Sequence, residues 1–210
     1  MKLVKKYINC YNDYYVLKCD IKKYFYSINH DILKKLLKKK IKDQLFLDLI
    51  DKIIDSTNKE YIFEYAKKYN INYLKNGYGL SIGNMTSQIL GIFYLNDLDH
   101  YIKENLKIKH YIRYMDDLVL FHSNKLYLKY CLNKIILFLN KYDLELNNKT
   151  IITKNNLCFL GYRFYNKKIK ILSKNRRKIY KKLRILKQYN PDKYIKALNS
   201  YNGYFKIQKY

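Results

Sequence analysis

The chain has 210 residues, 49% hydrophobic and 17% aromatic, so it can bury a core and does not have the composition of a disordered protein. Its 43 Lys and Arg residues against 17 Asp and Glu give a net charge of +26, which favours a polyanionic partner, nucleic acid above all. An A/T-rich genome would also enrich Lys, Asn, Ile and Tyr, but that bias leaves the scarcity of acidic residues unexplained.

The cysteines and histidines give no sign of a metal or secretory framework. The four cysteines lack C-x-x-C spacing and no signal peptide precedes them, which favours a reduced, cytoplasmic setting. The four histidines are scattered, which argues against a zinc site. No apolar run approaches the length of a membrane span, so we expect no membrane partner.

The first half of the chain alternates a strand with helices. An apolar run from Tyr14 to Cys19 predicts a strand that ends at Asp20. Residues 29–41 have helical spacing behind a capping Asn29, and residues 45–54 predict a further helix. Asn76-Gly77 indicates a turn.

The second half predicts a long buried helix and two hairpins. The helix covers residues 86–106, and a hairpin follows in which residues 111–114 and 118–121 flank Met115, Asp116 and Asp117. A helix over 126–142 precedes a second hairpin, in which residues 158–164 pair with 169–172 across Asn166-Lys167. This order predicts an α+β fold, an antiparallel sheet with helices packed on one face.

The last segment, residues 173–210, differs in character. It holds a run of basic residues between Lys174 and Lys187, and Asn190-Pro191 begins another helix. We therefore predict two domains, residues 1–172 and a basic helical domain of residues 173–210.

Three carboxylates are candidates for metal chemistry. Asp116 and Asp117 are adjacent, so ionising both is costly unless a cation lies nearby, and Mg²⁺ prefers carboxylate oxygens together with substrate phosphates. Asp20 ends a strand that would lie beside the hairpin in the predicted sheet. Asp is also common in tight turns and at strand ends, which is the structural alternative for each residue alone.

The residues around these carboxylates resemble reverse transcriptases. Tyr114-Met115-Asp116-Asp117 is similar to their Tyr-x-Asp-Asp box, and residues 19–30 resemble their first palm motif, with its metal-binding Asp at Asp20. Residues 79–88 resemble the motif that contacts template and incoming nucleotide. Its Ile82-Gly83 and Ser87-Gln88 are similar to bacterial enzymes of diversity-generating retroelements. Residues 144–150, 159–164 and 200–206 resemble the fourth and fifth palm motifs and the C-terminal end.

The resemblance implies a polymerase palm followed by a helical thumb. The implied reaction is RNA-directed DNA synthesis, in which the primer 3′ hydroxyl attacks the α-phosphate of a deoxynucleotide. Two Mg²⁺ ions, for which Mn²⁺ can substitute, would be held by Asp20, Asp116, Asp117 and the backbone of Ile21. Asp117 has an alternative role in shaping the site, because adjacent hairpin residues point in different directions.

The resemblance also assigns contacts to nucleotide, template and primer. Phe25, with Tyr24, would select deoxynucleotides by shape, although an aromatic residue between a strand and a helix is as often packing. Lys149 would support pyrophosphate release, or is a solvated charge. The other implied nucleotide or template contacts are Gly83, Asn84, Ser87, Gln88, Tyr114 and Met115, and the implied primer grip is Phe159, Leu160, Gly161 and Tyr162.

The basic residues of the thumb would contact nucleic-acid phosphates, which are sequence-blind and salt-sensitive contacts. They are Arg176, Arg177, Lys181, Lys182 and Arg184. The implied partners are an RNA template, a DNA or RNA primer and deoxynucleotides, in a cytoplasmic protein of bacterial or phage origin.

A fingers subdomain is expected before the first palm motif, but only 19 residues precede Asp20. The fingers would then belong to a longer gene, to an accessory protein or to a separate chain. The competing hypothesis is a degenerate reverse transcriptase kept as an RNA-binding or defence-associated protein.

Overall fold

The protein contains α-helices and two β-sheets. Its computed structural model describes residues 1–57, 64, 67–68 and 75–206. The predicted α+β class is confirmed, with antiparallel strands and helices in one chain. The predicted turn at Asn76-Gly77 is also confirmed, with Gly77 at a φ of 76°.

The first sheet contains the strands that carry the carboxylates. Its members are β1 (Tyr15–Asp20), β2 (His110–Tyr114), β3 (Asp117–His122) and β4 (Ile151–Lys154), in the spatial order β2-β3-β1-β4. The two central strands are buried, Leu118 to Phe121 completely. Burial on both faces explains why these strands are near-continuous apolar runs in the sequence.

Two of the helices before the first sheet's second strand begin at side-chain caps. After α1 (Lys2–Asn9) and the short α2 (Tyr24–Ser27), the helix α3 (His30–Lys40) begins where the Asn29 side chain accepts a hydrogen bond from the Ile32 amide at 3.1 Å. Asp43 caps α4 (Gln44–Asp55) in the same way, at 3.0 Å from the Phe46 amide. Such caps satisfy amides that have no partner inside the helix, and both predicted helices are confirmed.

The single long helix predicted over residues 86–106 is wrong. The structure has α5 (Met85–Tyr94), then α6 (Asn96–His100), which continues as a π-helical turn over Tyr101–Asn105. Leu95 leaves helical geometry with ψ of 7°. Tyr94, Leu95 and Leu98 are all buried and keep the spacing of one apolar helix face, so the apolar pattern of the sequence gives no sign of the break.

The second sheet is a three-stranded meander. It follows α7 (Lys125–Asn140) and consists of β5 (Asn156–Phe159), β6 (Tyr162–Tyr165) and β7 (Lys168–Ile171), paired antiparallel in that order. The predicted strand over residues 158–164 is wrong, because the chain reverses at Leu160-Gly161, both with positive φ. The predicted turn at Asn166-Lys167 is confirmed. Two helices, α8 (Ser173–Tyr189) and α9 (Pro191–Lys206), complete the described chain.

The chain divides into two compact units. One comprises residues Leu17–Leu120 and Leu126–Ile151 and contains Asp20, Asp116 and Asp117. The other comprises residues Met1–Val16, Phe121–Lys125 and Ile152–Tyr210 and contains the three-stranded sheet with α8 and α9. The division into residues 1–172 and 173–210 stays a prediction.

Within the described ranges, the structure contains no helix that is both long enough and apolar enough to cross a membrane.

Leu98 tests the packing of the buried core. Leu98→Ala is expected to lower the free energy of unfolding by about 2–5 kcal/mol, because the side chain is fully buried and its removal leaves a cavity. Leu126, which is 72% exposed, is the matched control, and Leu126→Ala is expected to cost less than about 0.5 kcal/mol. Urea unfolding measures both. Equal effects would contradict the described packing.

Candidate active site

Backbone hydrogen bonds bring Asp20 and Asp116 to one end of the first sheet. Asp20 is the last residue of β1, and the amide of the next residue, Ile21, donates to the carbonyl of Asp116 at 3.4 Å. On the other side, the Asn147 amide donates to the Asp20 carbonyl at 2.7 Å. The strand end is therefore held between the β2–β3 turn and the segment that precedes β4.

Asp116 lies in an environment that disfavours its negative charge. Partial burial raises the pKa of its carboxyl group, and the charges of Asp20 and Asp117 raise it further. The charge of Lys18 and the residue's own amide act in the opposite direction. A cation between the carboxylates would remove this cost.

Asp117 faces a different partner from Asp116. The Lys18 ammonium, from β1, lies 3.0 Å from Asp117 Oδ1. The predicted metal contact of Asp117 stays a prediction, and the structure gives this side chain an ion pair with Lys18. Sequence reasoning missed Lys18, although a lysine between Leu17 and Cys19 in an otherwise buried strand is a detectable signal.

The donor set fits a magnesium ion that is shared with a substrate. Among the residues that the structure describes, no three or more His, Cys, Asp or Glu side chains come together as a complete metal site. Mg²⁺, however, is commonly held by one or two carboxylates, with waters and substrate phosphates as its other ligands. Asp20 and Asp116, which the hydrogen bond from the Ile21 amide to the Asp116 carbonyl brings to one end of the sheet, could supply two such carboxylates.

Arg113 anchors the turn that carries Asp116. Its guanidinium donates to the Asp99 carboxylate over 2.5–3.0 Å and to the carbonyls of Met115 at 3.3 Å and Ile92 at 3.1 Å. Tyr111 also donates to Asp99, at 2.7 Å. One side chain thus connects α5, α6 and the turn. This network was missed because the contacts join residues far apart in the chain.

Burial keeps the Tyr111 hydroxyl protonated. It raises the pKa of Tyr111 far above its usual value, and the adjacent Asp99 raises it further. The hydroxyl therefore remains a donor to the Asp99 side chain.

Tyr24 and Phe25 pack on α5. The Tyr24 side chain is buried, and its hydroxyl donates to the Gly91 carbonyl. A Cβ at Gly91 would lie 3.3 Å from the Phe25 ring, so the glycine permits this close packing. Phe25 remains partly accessible. Packing is thus an observed role for both residues, and their contacts with a nucleotide stay predictions.

The loop before α5 presents its polar groups outward. Gly83, with φ of 102°, and the exposed Asn84 and Gln88 lie at the start of the helix, where amides point away from the helix. Ser87 differs, because it is buried. The predicted template contacts of these residues stay predictions.

Three further residues of the predicted site are Tyr114, Met115 and Lys149. Tyr114 is 58% exposed beside the carboxylates, and Met115 occupies the turn with a φ of 54°. Lys149 is exposed, and its amide, not its ammonium, bonds to the Asn147 side chain at 3.2 Å. Its role at pyrophosphate stays a prediction.

The predicted primer-grip residues form the β5–β6 turn in the second unit. Phe159 and Tyr162 are buried, whereas Leu160 is 39% exposed at the tip with a φ of 47°. Tyr204 of α9 packs against Tyr162 with the two rings tilted and their centroids 4.6 Å apart, and its hydroxyl donates to the Gly161 carbonyl at 3.3 Å. Burial, with Tyr204 beside it, raises the pKa of Tyr162 to about 12. Sequence reasoning noted Tyr204 only as part of a C-terminal motif.

The predicted phosphate contacts on α8 share one property, exposure to solvent. Ile179 and Leu183 bury the opposite face of this helix. The exposed basic residues are Arg176, Arg177, Lys181, Lys182 and Arg184.

Comparison with known families agrees with this geometry. Residues 5–164, which are 160 of the 210 residues, match the model of the reverse transcriptase (RNA-dependent DNA polymerase) family. The chain belongs to this family, whose enzyme class is RNA-directed DNA polymerase, a nucleotidyltransferase.

Two curated relatives are named for introns. The chain is 46% identical over 88 residues to an uncharacterized 91 kDa protein in the cob intron of Schizosaccharomyces pombe, covering 42% of this chain and 10% of that protein. It is 32% identical over 91 residues to a putative COX1/OXI3 intron 2 protein of Saccharomyces cerevisiae, covering 43% and 10%. The matched region therefore spans about a tenth of each relative's length.

Solved telomerase structures share the fold. Apo telomerase from Candida tropicalis, truncated from its C-terminal domain, superposes with a TM-score of 0.59 at 19% identity, covering 82% of this chain and 40% of that one. Telomerase from the same organism, in complex with a fragment of telomeric RNA, gives 0.58 at 16% identity, covering 82% and 32%. At these identities the likeness establishes the fold alone.

The Arg113 network is expected to be a main source of local stability. Arg113→Met is expected to cost about 2–4 kcal/mol, because it leaves Asp99 and two carbonyls without their shared donor. Lys34→Met, which breaks the more exposed Lys34–Asp55 ion pair, is the control and is expected to cost about 1 kcal/mol or less. If urea unfolding gave the two variants equal costs, the anchoring role would be refuted.

Gly161 and Gly203 should respond in opposite ways to alanine. Gly161→Ala is expected to cost about 2 kcal/mol, because the φ is 84° and the new Cβ would clash with the Tyr204 hydroxyl and lie 2.7 Å from Asn175 Nδ2. Gly203→Ala, inside α9 and in open space, is expected to add about 0.5–1 kcal/mol. Thermal unfolding measures both effects. A Gly161→Ala variant as stable as wild type would contradict the close contact of Gly161 with Tyr204 and Asn175.

Proposed function

We propose that this chain provides the catalytic palm of an RNA-directed DNA polymerase, with a divalent metal bound between Asp20 and Asp116. The observation that carries the proposal is the convergence of these two residues at the end of one sheet, where partial burial and the charge of Asp20 raise the pKa of Asp116. Family membership supports the same reaction class.

The metal has a defined task in this proposal. Bound Mg²⁺ or Mn²⁺ would neutralise the carboxylates and polarise phosphate oxygens, and a second ion is the finer expectation from the family resemblance. Asp20 and Asp116 hold the metal, and Arg113 keeps the Asp116 turn in position. The accessible part of Phe25 bounds the nucleotide sugar.

The nucleic-acid partners follow from charge and position. The exposed amides and polar side chains at the start of α5 contact the template and the incoming deoxynucleotide. The basic face of α8 contacts backbone phosphates of a template–primer duplex, which is consistent with the net charge of +26. The solved telomerase that shares this fold over 32% of its chain is itself in complex with a fragment of telomeric RNA.

The subfamily and the cellular setting are left open in this proposal. The relatives named for fungal introns give no support to a bacterial or diversity-generating type. Cytoplasmic location and an accessory chain that supplies fingers stay predictions, as does a role in defence.

Primer extension on an RNA template tests the proposal. The wild-type chain with Mg²⁺ or Mn²⁺ is expected to add deoxynucleotides to a DNA primer. Asp116→Ala is expected to reduce incorporation at least about 100-fold, because a metal ligand is lost. Asp192→Ala, which removes an acidic residue from the first turn of α9, is the control and should retain wild-type incorporation.

The competing hypothesis gives a different result in the same assay. A chain that retains RNA on a filter but incorporates no nucleotide with either metal would be an RNA-binding protein without catalysis. That outcome would refute the proposed enzymatic function.

A further inference from the structure

Lys18 is a charged residue on a central strand of the first sheet. Its neighbours Leu17 and Cys19 are fully buried, whereas its own side chain is 28% exposed. The ammonium lies 3.0 Å from Asp117 Oδ1, and the Asp117 side chain is 25% exposed. Both charges are therefore partly withdrawn from water, where an ion pair interacts more strongly than at an open surface.

The strand geometry directs Lys18 toward the acidic site. Residues two apart in a strand point to the same face, so Lys18 and Asp20 share a face of β1. The charge of Lys18 also acts on Asp116. The Lys18 ammonium thus lies within electrostatic reach of Asp116 and Asp117, and Lys18 precedes Asp20 on the same face of β1.

We propose that Lys18 is a positioning residue that holds Asp117 away from the metal-binding pair and partly balances the charge of the acidic site before a metal binds. The inference rests on the proposed function in one respect, that Asp20 and Asp116 bind a divalent ion. It assigns different tasks to the two adjacent acids. Asp116 binds the metal, whereas Asp117 binds Lys18.

The proposal has a consequence of defined sign for metal affinity. A positive charge next to a cation site repels the incoming ion, so Lys18 weakens metal binding by the free protein. Replacing Lys18 with a neutral residue both removes that repulsion and releases Asp117 as an additional ligand. A lysine with a purely structural role would have the opposite effect, because its loss would disorder the site.

Direct Mn²⁺ binding, measured by electron paramagnetic resonance on the protein without nucleic acid, tests the proposal. Lys18→Met is expected to lower the dissociation constant about threefold to tenfold. Lys18→Arg, which keeps the charge, is expected to remain within about twofold of wild type. The control Lys34→Met removes a lysine with a similar exposure of 21% from a pair with Asp55, and should leave Mn²⁺ affinity unchanged.

A double variant tests the pairing itself. Asp117→Asn is expected to weaken Mn²⁺ binding, because Lys18 then acts on Asp20 and Asp116 alone. Adding Lys18→Met to Asp117→Asn should return the affinity to within about twofold of wild type. Thermal unfolding of each variant reports folding, and Lys18→Gln replaces Lys18→Met if the latter does not fold.

The outcomes separate this proposal from the proposed function. If the folded Lys18→Met or Lys18→Gln variant binds Mn²⁺ as tightly as wild type or more weakly, the proposed role of Lys18 is overturned. Loss of Mn²⁺ binding in Asp116→Ala would still support the metal site in that case. Wild-type Mn²⁺ binding that Asp116→Ala does not alter overturns both. Failure of primer extension by a chain that binds Mn²⁺ as described refutes only the polymerase activity.

Discussion

The repulsion between Asp20 and Asp116 is the constraint on which the site depends. A strand end and a hairpin turn bring the two carboxylates together, and partial burial raises the pKa of Asp116 before any metal is considered. A folded protein tolerates such a cost only where the surrounding structure imposes it. Here the imposing elements are two central buried strands, β1 and β3, whose apolar residues cannot shift without losing the core.

Two basic side chains, Arg113 and Lys18, hold the acidic residues in position, each in a different way. Arg113 acts on the backbone, because its planar fork satisfies Asp99 and also the carbonyls of Ile92 and Met115. Lys18 acts on a side chain, through its ion pair with Asp117. Asp117, which follows Asp116 directly in the sequence, therefore has a different partner from Asp116 in the folded protein. The large excess of basic residues elsewhere is most evident on the exposed surface of α8, where we propose that it contacts nucleic acid.

Local patterns predicted those parts of the fold that local interactions determine. Asn29 is a helix cap, and the Tyr-Met-Asp-Asp turn lies between two β-prone runs, so α3 and the carboxylate hairpin were predictable from neighbouring residues. The helix break at Leu95 was not, because Tyr94, Leu95 and Leu98 keep the spacing of one apolar helix face across it. The turn at Leu160-Gly161 was missed because a leucine with positive φ is unusual. The partners of Lys18, Arg113 and Gly161 depend on strand order and helix docking, which sequence spacing does not encode.

The proposed metal site is tested most directly by the position of Mn²⁺ in a crystal of the protein, determined from its anomalous scattering. We predict a peak bonded to carboxylate oxygens of both Asp20 and Asp116, with Asp117 still paired with Lys18. An ion at that peak would relieve the repulsion between Asp20 and Asp116. A well-diffracting crystal grown in Mn²⁺ with no anomalous peak between these two residues, or with the ion held by Asp117 alone, would contradict it.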